Sequence, residues 1–224
     1  MNRILIVCSM IILSLPRAWA AAPVIDSYNV VWTVPGLDSR DSMPLGNGDI
    51  GLNVWVEKDG DLLFYISKTD AWTDNVLGSK GLAKVGRIRV HLTPNPFTAD
   101  APFRQTLVLR DGAVVIEAGQ PKAAIFLRLW VDANRPVIHL EGHGAADFQA
   151  SASFETLRPA PARDLQPDTV LDGGTNRVAW IYRNGNKDVP QLKNLTFGAV
   201  MKGAGLVSNG ITTCLLYTSD AADE

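Results

Sequence analysis

Apolar and polar residues alternate through most of this chain in short runs, and that spacing leaves few folds open. Leu52-Asn53-Val54-Trp55-Val56 alternates, turns at Lys58-Asp59-Gly60 and continues as Leu62-Leu63-Phe64-Tyr65-Ile66. A two-residue period sends successive side chains to opposite faces of a sheet. The pair therefore predicts a β-hairpin with glycine at its turn. Similar runs are Tyr28–Val34, Gly86–Leu92, Phe103–Leu109, Ala113–Ala118, Ala123–Val131, Val137–Glu141, Phe148–Phe154, Arg177–Tyr182 and Leu195–Met201. No segment carries a convincing helical period. Asp111-Gly112 and Asn184-Gly185 read as tight hairpin turns. Ser67–Lys84 and Glu155–Thr175 read as longer loops, the second a mobile surface segment because of Pro159, Pro161 and Pro167. Many short strands with short links cannot make parallel crossovers, so the expected fold is an all-β antiparallel sandwich.

Both ends read as separate from that domain. Arg3, the apolar run Ile4–Leu15 and Ala18-Trp19-Ala20 have the form of a secretory signal with its cleavage site. Residues 1–20 are expected to leave, and the mature protein to be secreted or periplasmic with no membrane attachment. Back-translation of Cys214–Glu224 resembles a transposon-end sequencing adapter. Residues 214–224 are therefore expected to be an artefact, and the natural protein to continue past Thr213. The domain proper is residues 21–213, incomplete at its C-terminus.

Without those ends, 19 basic residues face 20 acidic ones, a net charge of −1. Such a balance gives no electrostatic case for nucleic acid or for an anionic membrane. Cys8 and Cys214 go with the ends, which leaves no disulfide and no thiolate metal site.

Gly46-Asn47-Gly48-Asp49-Ile50-Gly51 spells G-x-G-x-x-G. A phosphate-binding loop needs a buried strand before it and a helix opening on its last glycine. Here a polar stretch from Asp38 to Pro44 precedes, and the alternating Leu52–Val56 follows. Lys68 could serve a kinase-like site, yet no H-R-D or D-F-G follows. The glycines are better read as a tight turn entering a strand. No cofactor is expected.

Other motifs have plain readings. His91, His139 and His143 lack zinc-site spacing, so no metal is expected. Asp59-Gly60-Asp61 lacks the further ligands of a calcium loop. Asn194-Leu195-Thr196 matches a glycosylation sequon. Trp32, Trp55, Trp130 and Trp180 lie within strand runs and are expected to fill the core.

Met43–Gly51 resembles the P-L-G-N-G-x-[IL]-G opening of the N-terminal β-supersandwich domain of glycoside hydrolase family 95, the fucosidase-type enzymes. Ile66–Trp72, Phe103–Leu109 with Val114 and Ile116, Arg128–Val131 and Arg135–Leu140 resemble later segments of that domain. Asn47–Trp55 and Leu63–Trp72 are closer still to an uncharacterised relative, domain-of-unknown-function family 5703. The resemblance spans Tyr28 to about Gly142. Ser67-Lys68 stands where the hydrolases have Asn-Glu, and Thr106 and Val108 replace Leu and Asp, which puts fucose specificity in doubt. The resemblance implies a non-catalytic domain preceding an (α/α)6 barrel that carries the catalytic carboxylates. On that reading the partners are the barrel and, through the whole protein, carbohydrate. The alternative is a non-catalytic carbohydrate-binding or scaffold module.

No catalytic residue is assigned in this chain. Asp49, Asp70 and Asp74 fall in turn-like segments, where Asp49 and Asp70 either cap backbone amides or take part in chemistry. Asn47, Asp49, Asp70, Trp72 and Asp74 are the candidates for a substrate edge or domain interface. Asn47 and Asp49 would hydrogen-bond a sugar or partner, and Trp72 would offer an aromatic plane or fill the core. An orphaned interface should leave an apolar face around Pro44–Trp72 uncovered.

Overall fold

The computed structural model describes residues 24–204 apart from 59, 77–78, 159–165, 172–173 and 186–188, and describes no side chain in 74–80. The signal-like residues 1–20, the adapter-like residues 214–224 and both cysteines lie outside the described residues. In chain order the strands are β1 (Val30–Trp32), β2 (Met43–Gly46), β3 (Ile50–Val56), β4 (Leu62–Val76), β5 (Ser79–Thr93), β6 (Phe103–Val108), β7 (Ala113–Ala118), β8 (Ile125–Val131), β9 (Ile138–Gly144), β10 (Gln149–Glu155), β11 (Thr169–Leu171), β12 (Arg177–Arg183) and β13 (Thr196–Lys202). Every strand pairing is antiparallel. The only helical turns among the described residues are short 3-10 pieces.

Three sheets form, in the orders β1-β6-β7-β8-β9, β10-β5-β4-β3-β2 and β11-β12-β13. The first two make the expected sandwich. β8 shows how sequence sets the layers: Ile125, Leu127, Leu129 and Val131 are buried, while Phe126, Arg128 and Trp130 between them are half-buried. Leu52, Val54, Leu62, Phe64, Ile88 and Val90 meet them from the second sheet. Full burial of each such side chain contributes about 1.5–3 kcal/mol. The Gln105 carboxamide, buried between the layers, donates to the Val54 carbonyl at 3.3 Å.

The third sheet packs on the β4–β5 end of the second. Trp180, Tyr182 and Phe197 join the main core. The Trp180 ring stacks on Phe154 at 4.2 Å, and its Nε1 donates to the Val85 carbonyl at 2.9 Å. Gly86 makes room for this stack, because a Cβ there would run into the Phe154 ring.

Several expectations change. The polar stretch from Asp38 to Pro44 ends in strand β2 (Met43–Gly46), with Pro44 exposed on an edge strand where its missing N–H costs nothing. Ser67–Lys84, read as loop, is mostly strand, since β4 and β5 pair through Trp72↔Leu82 and Val76↔Ser79 after a bulge near Ser67. Asn184-Gly185 is not a tight turn. Asn184 N donates to the Leu195 carbonyl, so the chain closes a longer loop there. In Glu155–Thr175 the ends are pinned: Arg158 and Asp168 form a 2.7 Å ion pair with the carboxylate fully buried. Pro159 and Pro161 lie outside the described residues. Trp55 and Trp180 are core residues as expected, whereas Trp32 and Trp130 are only half-buried. Asp111-Gly112 does turn between β6 and β7, with Gly112 at φ 55°.

Candidate functional site

The β2–β3 turn is built by Asn47. Its Oδ1 accepts from Asp49 N at 2.9 Å and from Ile50 N at 2.8 Å. Its Nδ2 donates to the Asp132 carbonyl at 2.7 Å and to that of Arg135 at 3.4 Å. The side chain therefore caps its own turn and staples it to the β8–β9 loop of the opposite sheet. Its hydrogen-bonding capacity is used within the fold. The glycines complete the turn. Gly48 has φ 93°, and a Cβ on Gly46 would strike the Ile50 carbonyl. A strand follows and no helix, so the tight-turn reading of G-x-G-x-x-G stands.

Asp49 does not cap the turn. Its Oδ1 accepts from the Thr69 hydroxyl at 2.7 Å and from Lys68 Nζ at 3.2 Å. Lys68 also reaches Asp70 at 2.7 Å, and Thr69 N donates to the Asp49 carbonyl at 3.0 Å. The turn and the outer part of β4 thus meet through one ammonium shared by two carboxylates. The Thr69 hydroxyl and then Lys68 hold the Asp49 carboxyl below its ordinary range. The hydrogen bond that Lys68 donates to Asp70, followed by that to Asp49, raises the Lys68 pKa against the opposing effect of burial. A glycosidic general acid must be protonated at working pH, and Asp49 is pushed the other way.

Trp72 is not core: 44% of it is exposed, beside its cross-strand neighbour Leu82 at 47%. Its Nε1 donates to the Thr69 carbonyl at 2.9 Å, which fixes the ring. The Asn184 carboxamide, itself buried, donates to the Trp72 carbonyl at 2.7 Å. Asp74 lies on β4, but its side chain is outside the described residues. The face around Pro44–Trp72 is consequently mixed rather than apolar: an exposed Trp72–Leu82 step flanked by the Asp49–Lys68–Asp70 cluster.

Sequence reasoning missed the residues that support this end. In the β8–β9 loop, Asp132 is held at about 2 by Arg135, by the amide of Asn134 and by His139. It also missed a network on the outer face of the second sheet. Arg87 and Arg89 both bond Glu155, and Arg89 reaches Asp61 at 3.0 Å and Glu57 at 3.4 Å. Asp61, read as a turn residue, also meets His91 at 2.7 Å. Trp55 Nε1 and Thr73 Oγ1 are buried without a hydrogen-bond partner among the described residues. The histidines do not converge: His139 stacks on Trp130 and His143 on Phe126, while His91 lies on the other sheet. Among the described residues no group of three or more His, Cys, Asp or Glu side chains is placed to hold a metal ion. No helix there is long and apolar enough to cross a membrane.

Residues 31–168 match the family model described as Domain of unknown function (DUF5703). The matched segment runs from β1 through Asp168 of the buried ion pair and stops short of the third sheet. None of the curated proteins matches the chain.

Proposed function

The chain belongs to the DUF5703 family, and from that premise we propose that it is a non-catalytic β-sandwich domain of a secreted glycoside hydrolase acting on polysaccharide or glycan. The observation that carries this reading is Trp72. Its ring is fixed by a backbone hydrogen bond, half-exposed and paired with an equally exposed Leu82. Indole rings held in this way are favoured contacts for protein interfaces and sugar faces. The resemblance to fucosidase-type hydrolases supplies the class of partner: a helical barrel in a longer polypeptide, with the catalytic carboxylates on the barrel. The lowered pKa of Asp49 fits a positioning or contact role better than acid catalysis.

The test is to sequence the source locus, to express the present chain and any longer product that the locus encodes, and to assay both on a polysaccharide panel. Hydrolysis by the longer protein, with none by the present chain, is expected. If the longer protein is inactive while the present chain binds a glycan through Trp72, the domain is a binding module instead.

A further inference from the structure

Among the described residues the two sheets of the sandwich end in four edge strands, and these are not equally protected. β1 is three residues long, and β2 is short and carries Pro44. Both are ordinary ways of blunting an edge. β10 is partly covered by the third sheet, whose Trp180 stacks on Phe154. β9 has no such device. It runs for seven residues, Ile138–Gly144, without proline, lysine or arginine, and its register with β8 is unbroken.

The hydrogen bonds at the two ends of this pairing fix which backbone groups of β9 are free. Asp132 N donates to the Val137 carbonyl and Ala145 N to the Ala124 carbonyl, each at 2.8 Å. Bonded and non-bonded pairs alternate along an antiparallel ladder. Trp130↔His139, Arg128↔Glu141 and Phe126↔His143 are therefore the bonded pairs. The N–H and C=O groups of Ile138, Leu140, Gly142 and Gly144 point away from β8, and nothing among the described residues takes them up. The side chains report the same gap. Leu140 faces the core yet is 36% exposed, while Leu129 opposite it is 1% exposed. A strand laid along β9 would bond the free backbone groups and cover Leu140.

The sequence of β9 is complementary to itself. In an antiparallel pair with Leu140 opposite Leu140 of a second copy, His139 of each copy meets Glu141 of the other. The Glu141 carboxylate is exposed and has no partner among the described residues. A two-fold axis perpendicular to the sheet keeps the apolar residues of both copies on one face of the joined sheet. The neighbouring register would set Glu141 against Glu141, and like charges directly opposite are destabilising. Charge therefore selects the first register. The three-residue β1 at the far side of the sheet offers too short an edge for the pairing to propagate.

We infer that β9 is the contact of a homodimer, in which the β9 strands of two copies pair antiparallel with Leu140 opposite Leu140 and His139 opposite Glu141. It does not depend on the glycoside hydrolase reading.

Sedimentation velocity of the present chain over a concentration series tests this, and a monomer–dimer equilibrium is expected. Leu140→Pro removes an outward N–H, which an edge strand tolerates, and Glu141→Lys sets a cation against the imidazole. Each should weaken the dimer about tenfold or more, with unchanged far-UV circular dichroism. With Cys8→Ser and Cys214→Ser in the background, Leu140→Cys should oxidise to a disulfide-linked dimer. Ile138→Cys should not, because that register holds the two Ile138 positions beyond disulfide reach. The amides of Leu140 and Gly142 should exchange more slowly as concentration rises. A chain that stays monomeric, or a dimer indifferent to both Leu140→Pro and Glu141→Lys, would overturn the inference. So would slow exchange of those amides in the monomer, which would assign the edge to a partner within the same chain.

Discussion

Two charge clusters in this molecule use the same chemistry under different burial. In the Arg158–Asp168 pair the carboxylate is fully buried and the guanidinium nearly so. Arg158 also donates to the Lys84 carbonyl at 3.0 Å and lies 4.4 Å over the Tyr182 ring. It therefore ties the β10–β11 segment to the second and third sheets. In the Asp49–Lys68–Asp70 cluster, the carboxylates are 41% and 66% exposed. Water competes there for every bond, and exposed pairs contribute little to stability. The first cluster is part of the fold. The second is a surface whose groups are oriented but remain accessible, which is what recognition requires.

Substitutions can break that contrast in descending order of effect. Arg158→Ala should be the most damaging, because it strands the Asp168 carboxylate in the interior. A loss of about 3–5 kcal/mol in urea unfolding is expected. Asn47→Asp should come next, with a loss of about 1–3 kcal/mol, since a carboxylate cannot donate to the Asp132 and Arg135 carbonyls. Hydrogen exchange should locate that damage in the β2–β3 turn and the β8–β9 loop. Lys68→Met should leave the unfolding midpoint within the scatter of ordinary surface substitutions. A loss for Lys68→Met as large as for Arg158→Ala would erase the distinction between the clusters.

A pH titration sharpens the same contrast. Asp49 and Asp132 both have folded-state pKa values below the ordinary 3.8, Asp132 at about 2. A depressed carboxylate stabilises the fold fully above its unfolded pKa and loses that contribution as pH falls through its folded pKa. Stability should therefore decline between about pH 4 and pH 2. Asp132→Asn should flatten the decline in a thermal-unfolding series.

The alternation that fixes β3, the first half of β4, and β6 to β8 was legible because each strand has one face in the core. β2 and the outer halves of β4 and β5 were hidden for the opposite reason. Pro44 and the run Ser67-Lys68-Thr69-Asp70 carry little apolar signal, and pairing there rests on backbone bonds to a neighbour already in place. At the site, the turn and the Ile66–Trp72 segment were each readable from the motif. The division of labour was not. Asn47 and Asp49 are both turn-formers, and only the position of the Asp132 carbonyl makes Asn47 the staple. Arg87 and Arg89 meet Glu155 from residues more than sixty positions away, so no local pattern could pair them.

Hydrogen exchange on the longer, barrel-bearing protein that the proposal calls for, compared with the present chain, tests most directly whether the Trp72 end is a contact surface. Slower exchange at residues 47–49 and 68–73 in the longer protein, with unchanged rates in the β6–β7 core, is the expected result. Equal rates at Trp72 in both proteins would contradict the assignment of that end as the contact with a catalytic domain.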